Sequence, residues 1–207
     1  MPEPGKSERF GYYHETVREN EDQKICIIML FALILLPVGV LASGFQWGYG
    51  GGGGGTGSGT GQSVPLNDEE QQWLMFMREE EKLARDTYIF LYAKWKMPIF
   101  SNIASSEQRH MDALKNKLDQ YGIPDPALDA RGKFTNPALQ MLYNDLIVQG
   151  SISKTEALNV GVIIEVKDIE DLNAAIAITE HADINQVYGN LRQGSYNHLD
   201  AFESQLG

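Results

Sequence analysis

The sequence predicts an all-α protein: an antiparallel four-helix bundle with a long crossover that contains a short extra helix, preceded by one N-terminal transmembrane helix. Three observations carry this expectation. Residues 25–44 form an uncharged run of 20 positions, long enough to cross a bilayer as a helix. Four long segments beyond residue 66 repeat apolar residues at steps of three and four, the period of one helical face. Almost nothing between them alternates as a strand would.

The N-terminal part divides into three pieces. Residues 1–24 carry Lys6, Arg9, Arg18 and Lys24, and after the apolar run no Lys or Arg appears until Arg78. This asymmetry predicts a cytoplasmic tail at 1–24, an anchor at 25–44 and everything beyond residue 45 outside the cytoplasm, at the cell membrane. Phe45, Trp47 and Tyr49 suit the outer interface. The alternative is a cleaved secretory signal, with small-residue sites at 40–42 and 42–44, which would release the domain as a secreted protein. The 24-residue lead, with six acids against four bases, is long and acidic for a signal. Residues 45–65 are a linker; ten of the fourteen residues 48–61 are glycine, a composition that cannot pack and behaves as flexible coil.

The remaining domain, 66–207, holds 13 Lys and Arg against 22 Asp and Glu. That excess of negative charge argues against nucleic acid as a partner. The sole cysteine is Cys26, in the anchor, so the domain has neither disulfides nor a thiolate metal centre.

The first helix begins after Asn67, with Glu70 at the capping-box position. It places Leu74, Met77, Glu81, Ala84, Tyr88, Leu91 and Trp95 on one face, and breaks at Lys96-Met97-Pro98. The second aligns Ile103, Glu107, His110, Leu114, Leu118 and Tyr121 and stops at Gly122 and Pro124. A loop over 122–136 leads to a short helix from Asn136-Pro137 to Gly150. Ser153-Lys154-Thr155-Glu156 predicts a second capping box and opens a helix with Leu158, Val162, Glu165, Asp168, Leu172 and Ile176 on one face. A turn over 179–183 precedes the last helix, with Ile184, Val187, Leu191, Ser195, His198 and Phe202.

Within these apolar stripes Glu81, Glu107, His110, Glu165 and His198 are intruders, with Asp168 beside Glu165. Burying an unpaired carboxylate is expensive, and a metal ion is the simplest neutraliser of several at one depth. The turns test the depth. The midpoint of Glu81 and Glu107 is position 94, at the first break; that of Glu165 and His198 is 181.5, inside the last turn. Glu165 lies 12 residues past Ser153 and Glu107 lies 14 before Tyr121, so all four helices bring an intruder to nearly one layer. Glu107-Gln108-Arg109-His110 is a Glu-x-x-His step, which sets both side chains on one face. In a bundle, with a Glu from other helices, it is the di-iron or di-manganese carboxylate pattern. Carboxylate oxygen and imidazole nitrogen suit iron or manganese.

Plainer readings exist for each residue. Glu79, Glu80 and Glu81 form a run that is usually a solvated face, with Glu80 as the register alternative to Glu81. Glu165 and Asp168 could pair with Lys167 or Arg192. His198 could be a satisfied core histidine. Tyr88, Trp73 and Trp95 suit core positions better than redox relays, and His181 reads as inert beside a helix start.

Glu81-Lys82-Leu83-Ala84-Arg85-Asp86-Thr87-Tyr88, and Ile99-Phe100-Ser101-Asn102-Ile103-Ala104 followed by Glu107 and His110, resemble the first two helices of rubrerythrins. Residues 66–207 as a whole also resemble the uncharacterised ferritin-like domain of unknown function 2202, through 79–86, Glu165 to Leu172 and Gly194-Ser195-Tyr196-Asn197-His198-Leu199. The resemblance implies a ferritin-like bundle with Glu81 as a ligand, Glu107 and Glu165 as bridges, and His110 and His198 each on one ion. Asp168 would supply an extra carboxylate, with Tyr88, Arg85 and Ser195 around the ligands. Ser195 departs from the pattern, which has a Glu about three residues before the last His; serine is a poor ligand, so a second metal position that is weak, empty or more open is expected.

Three functions follow as expectations. The first is a membrane-tethered di-iron oxidoreductase acting on peroxide, oxygen or ferrous iron, with electrons from an unidentified donor. The second is a non-catalytic metal-binding module, holding manganese or a single divalent ion. The third is a metal-free helical interaction module with Arg85 or Arg109 compensating its carboxylates.

Overall fold

The computed structural model describes residues 65–207; the expected cytoplasmic tail, the anchor and the linker up to residue 64 lie outside the described residues. Among the described residues there are five helices and no strand, and no helix is long and apolar enough to cross a membrane. The helices are α1 (Asp68–Trp95), α2 (Pro98–Tyr121), α3 (Pro137–Gly150), α4 (Lys154–Ile178) and α5 (Ala182–Leu206).

Their boundaries follow from local chemistry. The Asn67 side chain accepts from the Glu69 and Glu70 amides at 3.0 and 2.9 Å, and Glu70 Oε2 accepts from the Asn67 amide at 3.0 Å, a complete capping box. Lys96, at φ 56°, turns the chain out of α1 while its amide still donates to the Tyr92 carbonyl. Pro98 then opens α2, where its missing N–H is not needed. Gly122, at φ 69°, closes α2: its amide donates to the Asp119 carbonyl and the Ile123 amide to that of Leu118, both capping free carbonyls. The box expected at Ser153 is only half present. Ser153 Oγ accepts from the Glu156 amide at 3.0 Å, but the Glu156 carboxylate is taken by the Gln149 and Asn159 side chains.

Short turns make α1–α2 and α4–α5 hairpins. Packing of α1 on α4 and of α2 on α5 joins them into a four-helix ring, with α3 laid across α1 and α4. The core has two apolar layers. One contains Tyr88, Leu91, Phe100, Ile103, Leu158, Ile164 and Phe202. The other contains Leu74, Met77, Leu114, Leu118, Leu172, Ile184, Tyr188 and Leu191. On α5 the buried residues of the first two turns are Ile184 and Tyr188; Val187 is only half-buried.

The 122–136 loop is pinned over α1. Arg78 makes a two-pronged bond to Asp125, with Nη2 to Oδ2 at 2.8 Å. Lys82 Nζ, fully buried, donates to Asp86 and to the carbonyls of Ala130 and Lys133. Glu79 accepts from the Thr135 and Asn136 amides at 2.6 and 2.9 Å. This corrects the solvated-face reading of residues 79–81: all three glutamates are buried. With α2, α3, α4 and the loop packed around it, α1 has little solvated surface at this depth. His181 is not inert either. Its Nδ1 lies 2.7 Å from Glu70 Oε1, which also accepts from the Glu180 amide, so the capping glutamate of α1 holds the α4–α5 turn.

Candidate metal centre

Between the two apolar layers, each ring helix contributes polar side chains at one level. The order along the chain alternates, as antiparallel helices require. On α1 the sequence runs from Met77 through Glu81 to Tyr88, and on α2 from Ile103 through Glu107 and His110 to Leu114. On α4 it runs from Ile164 through Glu165 and Asp168 to Leu172, and on α5 from Leu191 through Ser195 and His198 to Phe202. Every sequence-predicted ligand lies in this level, and Glu81, Glu107, Glu165, Asp168 and His198 are buried.

Glu107 is at the centre. Its Oε2 is 2.8 Å from His110 Nδ1 and its Oε1 is 2.8 Å from His198 Nδ1. His110 Nδ1 is also 3.2 Å from Glu81 Oε2, and His198 Nδ1 is 3.4 Å from Glu165 Oε2. Two triads result, Glu81–Glu107–His110 and Glu107–Glu165–His198. Each offers three ligand atoms within 4.8 Å of one another, and they share Glu107. The imidazoles stack with centroids 5.6 Å apart.

Around the triads, the Tyr88 hydroxyl donates to Glu165 Oε1 at 2.6 Å, and its ring packs against Phe100 and Phe202. Ser195 Oγ donates to Asp168 Oδ2. Arg85 is directed elsewhere, to Asp86 and Gln108, and Arg109 is exposed. Neither arginine neutralises the layer. Lys167 pairs with Asp171 and Arg192 with Asn173. Trp95 donates its indole N–H to the Gly150 carbonyl and Trp73 packs edge-on against Phe76, both structural roles.

Without a metal, protons balance the charge. Burial raises Glu81 well above the usual carboxylate range, and the Asp168 charge adds to it. Burial and Glu107 push Glu165 up to about 7; burial and Glu165 push Asp168 up to about 8. Burial also opposes ionisation of Glu107, yet the His110 and His198 imidazoles against its two oxygens hold it at about 2. Burial disfavours the imidazolium forms, but the surrounding carboxylates outweigh it and raise His110 to about 11 and His198 to about 10.

The donor set fits a metal on a direct observation. Glu81 Oε1, Glu107 Oε1, Asp168 Oδ1 and His198 Nδ1 are buried with no hydrogen-bond partner. Glu107 Oε1 and His198 Nδ1 stand 2.8 Å apart without the alignment of a hydrogen bond. Lone pairs that converge without bonding each other are what a shared cation would use.

One supporting residue escaped the sequence reading. A Cβ on Gly194 would lie 2.7 Å from His110 Cε1 and Nε2, so α5 makes room for that imidazole by lacking a side chain. The available signal was a glycine inside a helix, a position that weakens the helix unless close approach requires it.

The fold and this layer define an all-helical domain with clustered buried carboxylate and imidazole donors. Residues 70–207 match the family described as an uncharacterized protein domain, DUF2202, and the chain belongs to that family. It is 52% identical over 143 residues to uncharacterized protein MJ0754 of Methanocaldococcus jannaschii, covering 69% of this chain and 77% of that one. The crystal structure of hypothetical protein MJ0754 superposes with a TM-score of 0.69 at 51% identity, over 70% of this chain and 83% of that one.

Proposed function

We propose that this chain is a membrane-tethered, ferritin-like metal protein whose bundle holds two ions of iron, and that it acts as an oxidoreductase on peroxide, oxygen or ferrous iron. The observation that carries the reading is Glu107, whose two oxygens each face a different imidazole and which belongs to both triads. Glu81 and His110 would hold one ion, Glu165 and His198 the other, with Glu107 between them. Asp168 would add charge at the shared face. A bound iron pair supplies one-electron chemistry at such a site. The chain's own groups hold and shield it: Tyr88 orients Glu165, and the apolar layers above and below exclude water. With Cys26 its only cysteine, the chain has no thiolate cluster to deliver electrons, so a separate donor is part of the proposal. The tether through 25–44, with the domain outside the cytoplasm, rests on the charge asymmetry of the sequence.

A second reading is a binding module for one divalent ion, manganese included, without turnover. It is favoured by Ser195, which presents a hydroxyl and already occupies Asp168 Oδ2.

The test is metal content per chain after anaerobic loading of the full-length protein with ferrous iron, compared with Glu107→Ala. About two irons, both lost in the variant, are expected. One iron moves the reading to the binding module, and none overturns the centre.

A further inference from the structure

One group of charged residues beside the layer takes no part in either triad. Glu80 is buried, 4% exposed, and its Oε2 has no hydrogen-bond partner. It faces α4, where the Asp171 carboxyl is within hydrogen-bonding reach of it. Asp171 pairs with Lys167, and these two side chains are 13% and 17% exposed, so this pair touches solvent. Asp168 lies one turn before Asp171 on the same face of α4. Its Oδ2 is held by Ser195 and its Oδ1 has no partner. Glu80 is in turn the chain neighbour of Glu81. Carboxylates therefore run from the surface at Asp171, through Glu80 and Asp168, to the Glu81–Glu107 layer.

We propose that Glu80, Asp171 and Lys167 form a lysine-latched port through which a divalent cation enters the metal centre. The proposal rests on the two-metal reading above. The charge count favours a port over a structural ion pair. One ammonium, Lys167, acts on Glu80 and Asp171, with Asp168 a further carboxyl near Glu80, and a purely structural pair gains nothing from surplus buried carboxylates. Two carboxyls in contact must share a proton or a cation, and the partnerless Glu80 Oε2 and Asp168 Oδ1 are open acceptors along the way in. Lys167 occupies the outer carboxylate until an arriving cation displaces it.

The test uses the full chain and cobalt(II), a redox-silent probe whose visible absorption reports binding. Uptake is followed by stopped flow for the wild type, Lys167→Gln, Glu80→Gln and Asp171→Asn, and the final cobalt per chain is measured. Lys167→Gln should load about tenfold faster, because the outer carboxylate is unlatched, and the two carboxylate variants about tenfold slower. All should reach the wild-type cobalt content. Equal rates in all four proteins, with two cobalt ions bound, overturn the port and leave the centre standing. A wild type that binds no cobalt overturns the centre itself. Should Glu80→Gln fail to fold, Lys167→Gln decides alone, since it alters a partly exposed side chain; loading at the wild-type rate overturns the port.

Discussion

Removing metal should make this protein less stable as pH rises through neutrality, and adding metal should cancel that loss. Glu165 and Asp168 have folded pKa values of about 7 and about 8, against ordinary values of 4.5 and 3.8. An acid with a raised folded value keeps in the folded state a proton that the unfolded chain releases. Its stabilisation is lost as pH climbs from the ordinary value to the raised one. His110 and His198, raised from 6.5 to about 11 and about 10, contribute stability fully present below 6.5 and lost above it. All four groups therefore act in the same direction between pH 5 and 8. Glu107, lowered to about 2, acts only below its ordinary 4.5, where its stabilisation fades as pH falls. At pH 7 the folded, metal-free chain holds roughly three more protons on the four groups than the unfolded chain, which alone gives about 4 kcal/mol per pH unit. The same attractions are counted in both partners of each pair. About half of that slope, roughly 2 kcal/mol per unit or about 4–8 °C in Tm, is the expected effect. Metal binding needs the deprotonated ligands and so strengthens with pH. The assay is thermal unfolding from pH 5.5 to 8.5, with chelator and with cobalt(II). A chelated protein whose Tm is flat or rising over that window refutes the reasoning, as does an identical slope with metal.

Other outcomes follow from single contacts. Gly194→Ala should strengthen α5 by about 1 kcal/mol of helix propensity while its Cβ, 2.7 Å from His110, displaces that imidazole. Metal titration should then show the affinity of one of two ions reduced about 10–100-fold, with circular dichroism unchanged. Glu79→Ala removes the acceptor of the Thr135 and Asn136 amides. It should cost about 2 kcal/mol in urea unfolding, and amide exchange over 122–136 should accelerate while the metal content holds.

Much of the helical framework was legible because caps and breaks are local. Asn67 with Glu70, Pro98, Gly122, Asn136-Pro137 and Ser153 fix helix ends from a few neighbouring residues. The layer was legible for a related reason. Glu81, Glu107, Glu165 and His198 violate an apolar period, and the short turns convert sequence distance into depth. What escaped depended on non-local chain. Whether Glu79 and Glu80 meet water is decided by the 122–136 loop and α4, and no pattern within α1 encodes that. Lys82 is buried because loop carbonyls of Ala130 and Lys133 reach it across 48 and 51 residues. His181 gained a role only because the start of α1 lies against the last turn. Tyr188 replaced Val187 as the inward residue because it lies four positions, about one turn, past the buried Ile184 and shares its face.

The central claim, two ions flanking Glu107, is tested most directly by anomalous diffraction at the iron edge from crystals loaded anaerobically. Two peaks about 3.5–4 Å apart, one beside each oxygen of Glu107, with His110 on one and His198 on the other, are expected. A single peak, or peaks without contact to Glu107, contradicts the claim.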